Sequence, residues 1–276
     1  MLDAIRDIVS GGRSAGVPAA PSSDETQGAF ADAARAAWEQ RVENVPSDAP
    51  ARCPLGRYEL DYALLGDFNK PDLADLLEVL RLAVAHRRSW PEFWVPTRPE
   101  IAPVPVDGTI QCWLGALQEP QRDTGHVDFW RASPEGRMFL LRGYFEDSGD
   151  WRDINPGTII DIRAPIWRVA ECLQHARILS RLLAPNGHFQ VLLRGRWYGL
   201  DGRQLSSVDP HQRFWMNEGR INHQDEFAVQ TTVDVRQIAD NLPEIILSLL
   251  RPLYVQFGFF RLTMDVVGYA LDRMTT

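Results

Sequence analysis

Five residues carry the types and spacings that could bind a ligand. Arg142 stands in "RMFLLRGYF", where its neighbours on both faces are apolar or aromatic. A strand of that composition is central, and a guanidinium buried there needs a carboxylate partner or an anionic ligand. Glu146 and Asp161 are the expected partners. Further along, Arg194 and Arg196 alternate with Val191, Leu193 and Trp197, which places both guanidiniums on the polar side of one strand beside Tyr198. Arg142, Arg194, Arg196, Tyr198 and Asp161 therefore form the expected ligand-binding set.

Catalytic patterns are weaker. His223 with Asp225 and Glu226 has the residue types of an acid–base dyad, but no nucleophile stands beside them. Gly12-Arg13-Ser14-Ala15-Gly16 matches the nucleophile-elbow letters, yet it lies in a Gly/Ser/Pro-rich stretch with no strand before it, so it is a coincidence of composition. The acidic run Glu146, Asp147, Asp150, Asp153 lacks calcium-loop spacing and is expected as a solvated loop. Glu171 and His175 are one helical turn apart, as a surface pair would be. No catalytic residue, metal ligand or cofactor is expected.

Composition narrows the classes. The net charge of −8 disfavours nucleic acid or an anionic membrane as the default partner. Lys70 is the only lysine, in "FNKPD" and outside any phosphate-loop motif, which argues against lysine chemistry. Cys53, Cys112 and Cys172 are odd in number and far apart, against a disulfide framework or thiolate zinc. The opening "MLDAIRDIVSGG" has no signal-peptide pattern, and apolar runs stop short of the ~20 residues a membrane span needs. The expectation is a cytoplasmic protein.

These residues need elements to position them. A short amphipathic helix and flexible linker are expected over residues 1–28, then a single domain over 29–276. Helices are expected at 29–42, from Pro71 to about His86, from Pro165 to Leu183, from Leu242 to Phe257, and after a Thr263 cap. Strands are expected at Arg57, at Thr109–Leu114, in a hairpin turned by Pro134-Glu135-Gly136, and at Thr158–Arg163. Two more should meet at an Asp201-Gly202 hairpin turn, and a last spans Glu226–Val235. Strands with one apolar and one polar face predict an α+β fold, an antiparallel or mixed sheet with helices mainly on one side. Leu-Leu-Arg-Gly recurs at 140–143 and 192–195, consistent with two similar halves, about 50–150 and 151–276, of duplicated strand–helix–strand–strand units. Chance likeness of Arg-rich strands is the rival explanation.

The strings "WPEFWVPTRPEIAPVPVDGTIQCWLG", "DFWRASPEGRMFLLRGYFEDS" and "APIWRVAECLQHA" resemble the C-terminal accessory region of bacterial transcriptional-regulator proteins that carry an N-terminal Alba-type, Schlafen-related domain. The resemblance covers residues 50–274, and that N-terminal domain has no counterpart positions here. The resemblance does not define that region's role; the expected function is a non-enzymatic regulatory domain that binds a small-molecule effector or a protein partner. Two alternatives stay open: a hydrolase-like enzyme near His223 and Asp225, and nucleic-acid binding through the Arg-bearing sheet face.

Overall fold

The computed structural model describes residues 22–84, 91–115, 124–149, 151, 153–213, 220–259 and 261–275. Gly12–Gly16, the first amphipathic segment and Asp150 lie outside the described residues. An α+β architecture is built on an open seven-stranded antiparallel sheet. Helix α1 (Ser23–Val42) comes first, then β1 (Arg57–Leu65), α2 (Leu73–Ala83), β2 (Val104–Val106), β3 (Thr109–Trp113), β4 (Asp128–Ser133) and β5 (Arg137–Gly143). The second part holds β6 (Ile159–Asp161), α3 (Ala164–Leu183), β7 (Gln190–Tyr198), β8 (Gln204–Ser206), α4 (Pro210–Arg213), β9 (Phe227–Asp234), α5 (Gln237–Asp240), α6 (Leu242–Gln256) and α7 (Met264–Thr275). The sheet order is β2-β3-β4-β5-β1-β7-β9. No described helix is long and apolar enough to cross a membrane.

Side-chain alternation divides the sheet into two unlike faces. Tyr58, Leu60, Tyr62 and Leu64 of β1 join Val191, Leu193 and Trp197 of β7 in the main core, which is sealed by α2, α3, α6 and α7. Helix α3 sits centrally there, with Ile166, Val169, Ala170, Leu173 and Ala176 all buried. On the opposite face α1 packs, through Ala31, Ala34, Trp38 and Val42, against Phe129, Phe139 and Leu141 of β4 and β5, with Cys53 in the same cluster. That helix stops short of the β7–β9 end, leaving Ala228, Gln230 and Thr232 exposed. Backbones approach closely where β1 begins. Gly199 has φ +72°, and a Cβ there would meet Leu55 O at 2.5 Å, so only glycine fits this turn after β7.

Several expectations need correction. Helix α1 begins at Ser23, six residues before the expected start, because Ser22 and Glu25 form a reciprocal capping box. Gln27, expected in the linker, is buried. The Asp201-Gly202 hairpin does not form: β8 pairs in parallel with β6 in a separate two-stranded sheet. The Leu-Leu-Arg-Gly tetrads flank β1 out of level, since Leu60 faces both Leu140 and Gly195. Arg142 and Arg194 consequently project from opposite faces, and the tetrads are not equivalent positions of a repeated unit. Glu146 and Asp147 are buried rather than solvated, and so are Glu171 and His175. His175 Nδ1 lies 2.7 Å from the Tyr62 hydroxyl, and burial pushes its imidazole down to about 3, keeping it neutral.

Candidate functional site

The five expected ligand residues fall into three places. Arg142 is on β5, on the main-core face. It is fully enclosed, as expected, but its carboxylates are Asp128 at 2.5 Å and Glu92 at 3.4 Å, not Glu146 or Asp161. Glu92 also accepts from the Tyr58 hydroxyl at 3.1 Å and lies 3.5 Å from Arg168, which pairs with Glu171 at 2.9 Å. Burial raises the Glu92 carboxyl despite the two arginines. This cluster is an internal charge network, with Arg142, Glu92, Asp128 and Glu171 all buried.

Asp161 ends β6 and has no exposed surface. It receives Arg163 at 2.8 Å and the Val208 amide at 2.9 Å, and so ties β6 to the chain after β8. Next to it Glu146 accepts the Asp161 amide at 2.7 Å, while Glu146 Oε2 is buried with no hydrogen-bond partner among the described residues. Burial pushes the Glu146 carboxyl up to about 8. Arg203, which the sequence reading passed over, is wholly buried and holds Asp147 through two nitrogens at 2.9 and 2.6 Å. A hollow bordered by Tyr58, Tyr144, Glu146, Arg168 and Trp197 has only about 10 Å³ open to a water-sized sphere, room for about one water. A metabolite does not fit it.

Arg194, Arg196 and Tyr198 share the outer face, as their alternation predicted. Cross-strand register sets Arg194 opposite Asp61 and Arg196 opposite Glu59. Arg194 donates to Asp61 at 2.8 Å and to the Gln27 carbonyl at 3.0 Å, and is thereby buried under the start of α1. Glu59 is held by Arg35, whose Nη2 lies at 2.8 Å, and by Arg57 at 3.4 Å. The Arg57 guanidinium stacks between Trp38 and Tyr198, 5.0 and 4.4 Å from the ring centroids. Tyr198 donates to Glu59 at 3.4 Å. Burial, and then the Glu59 charge, raise its phenol above the ordinary value.

What stays open is a groove of about 350 Å³ bordered by Arg196, Trp197, Tyr198, Glu226, Phe227 and Ala228. That volume is within the range of small-molecule sites. Extending the β7–β9 register by one residue sets Glu226 opposite Tyr198, on the same face as Arg196 and Ala228. Arg196 forms no ion pair among the described residues; its electrostatic neighbours are Tyr198 and Asp61. Glu226 likewise has no ion-pair partner among them. The groove thus offers one planar cation, one carboxylate and an aromatic wall.

The alternatives can be placed in this geometry. His223 and Asp225 are exposed in the loop before β9 and are not hydrogen-bonded to each other. Arg35, Arg57 and Arg194 each face a carboxylate, so the Arg-bearing sheet face is largely neutralised. Among the described residues no group of three His, Cys, Asp or Glu is placed to hold a metal. Glu59, Arg35 and Trp38, which gather around Arg57 beside Tyr198, were missed at the sequence level. The alternation of Glu59 and Asp61 in "GRYELDY" was their one signal. No family model, curated protein or solved structure matches the chain.

Proposed function

We propose that the chain is a non-enzymatic regulatory domain whose effector site is the groove at Arg196, Tyr198 and Glu226. The observation that carries this reading is Arg196 itself, a half-buried guanidinium on a groove of metabolite size with no ion-pair partner among the described residues. A guanidinium of this kind grips carboxylate or phosphate through two parallel N–H donors. Glu226 adds an acceptor for an amine or hydroxyl, and the Tyr198 ring, backed by Arg57, is a flat wall for an apolar portion. The effector class is accordingly a small carboxylate or phosphate that also carries a hydrogen-bond donor. Arg194, Arg142 and Asp161 act from within, fixing the strands that present the groove.

The test is a thermal-shift panel of amino acids, hydroxy acids, dicarboxylates and sugar phosphates. A supporting result is at least one compound that raises Tm in the wild type and not in Arg196→Ala. A panel in which every shift persists in Arg196→Ala removes the groove from the account.

A further inference from the structure

The two edges of the main sheet are built differently. At one edge β2 has three residues with Pro105 in the middle, a short strand that cannot donate a full ladder. The other edge is β9, eight residues reading "FAVQTTVD". It has no proline, glycine or lysine, and no charge before Asp234. Its pairing is with β7 alone. Among the described residues no other backbone hydrogen bond reaches Phe227–Asp234, so its outward amides and carbonyls have no partner there. Natural edge strands of this length usually carry a charge, a bulge or a proline that blocks pairing. Here nothing of the kind is present.

We infer that β9 is a docking edge for a second copy of this chain, joined by antiparallel β9–β9 pairing about a twofold axis. Charge selects both the occupant and the register. A twofold that keeps the two sheets continuous sets one residue opposite itself. Centring it on Gln230 brings Glu226 against the second copy's Asp234, two carboxylates in apposition. Centring it on Thr231 brings Glu226 against the second copy's Arg236. Arg236 stands two residues past β9, in αR conformation at the start of α5, its side chain 70% exposed and paired with Asp234 at 2.7 Å. Because the pairing repeats across the axis, each interface gains two such contacts; between them the only charged residue is Asp234, set opposite the second copy's Ala228 and already paired with its own Arg236. Self-association is therefore matched in charge at both ends of the strand, as an arbitrary peptide would not be. Strand addition of this type draws affinity from main-chain hydrogen bonds and specificity from the flanking side chains.

Sedimentation velocity on the full chain tests the inference without any ligand, so its outcome is independent of the effector site. The wild type is expected to show a concentration-dependent dimer, and amide exchange in Phe227–Asp234 is expected to slow as the dimer fills. Arg236→Glu, and separately Glu226→Arg, should each weaken the dimer by about tenfold or more. The double variant, which exchanges the charges, should regain it. A wild type that remains monomeric up to about 100 μM overturns the inference. So does a dimer that Arg236→Glu leaves unchanged, or a double variant as weak as the singles.

Discussion

Buried charge at single residues sets what this chain tolerates. Arg142 lies between Asp128 and Glu92 with no access to water. Arg142→Ala leaves two internal carboxylates without their cation and is expected to lower unfolding free energy by about 3–5 kcal/mol in urea titrations. Glu146 makes a second prediction, this one about pH. Its carboxyl is raised from 4.5 to about 8, so the folded chain keeps a proton that the unfolded chain releases. That contribution is complete below pH 4.5 and is lost as pH rises through about 8. Glu146→Gln should match the wild type near pH 5 and be the more stable of the two near pH 9, as read by chemical denaturation at both values. His175 acts in the opposite sense. Its imidazole is lowered from 6.5 to about 3, and its contribution is lost as pH falls through that range. Comparing wild type with Glu146→Gln at each pH cancels it. That Arg142 must be internal was legible from its apolar neighbours. Its partners were not, because Asp128 and Glu92 reach it from an adjacent strand and a loop, and that pairing is set by the β4–β5 register rather than by spacing along the chain.

Among the elements, α1 makes the difference between a covered and an open sheet face. Its first turn holds Gln27, whose side chain donates to Asp61 at 2.9 Å and whose carbonyl accepts Arg194 at 3.0 Å. Gln27→Leu removes one donor from a buried carboxylate, and the expected loss is about 1–3 kcal/mol in thermal or urea unfolding. Truncation through residue 28 should cost more, since it also removes the capping box. A truncated chain as stable as the parent would show that the α1 start does not anchor β7. The composition of residues 10–28 hid this: the Ser22–Glu25 capping box was read as part of a linker, and Gln27 resembles a linker residue until its partners on β1 and β7 are known. Strand alternation was the more dependable signal. It identified the apolar faces of β7 and β9 correctly and placed Arg194 and Arg196 together. Asp201-Gly202 misled because a tight turn is only a local preference, whereas β8 is drawn to β6 by the Asp161 network.

Among the described residues, α2, α3, α6 and α7 seal one sheet face, while α1 covers only part of the other and leaves the β7–β9 end open. The proposed effector groove and the β9 edge, unpaired among the described residues, both lie at this end, so ligand and second copy would meet the same strand. The α+β class was visible in the pattern of strands and helices. The groove was not, because its walls come from β7 and from the start of β9, which only the pairing of the two strands brings together. The central claim is that Arg196, Tyr198 and Glu226 form an effector site. It is tested most directly by amide chemical-shift mapping of the labelled protein against the best compound of the carboxylate and phosphate panel. The account predicts saturable shifts concentrated at Arg196–Tyr198 and Glu226–Ala228 and absent in Arg196→Ala. Shifts centred elsewhere, or a map unchanged by Arg196→Ala, would contradict it.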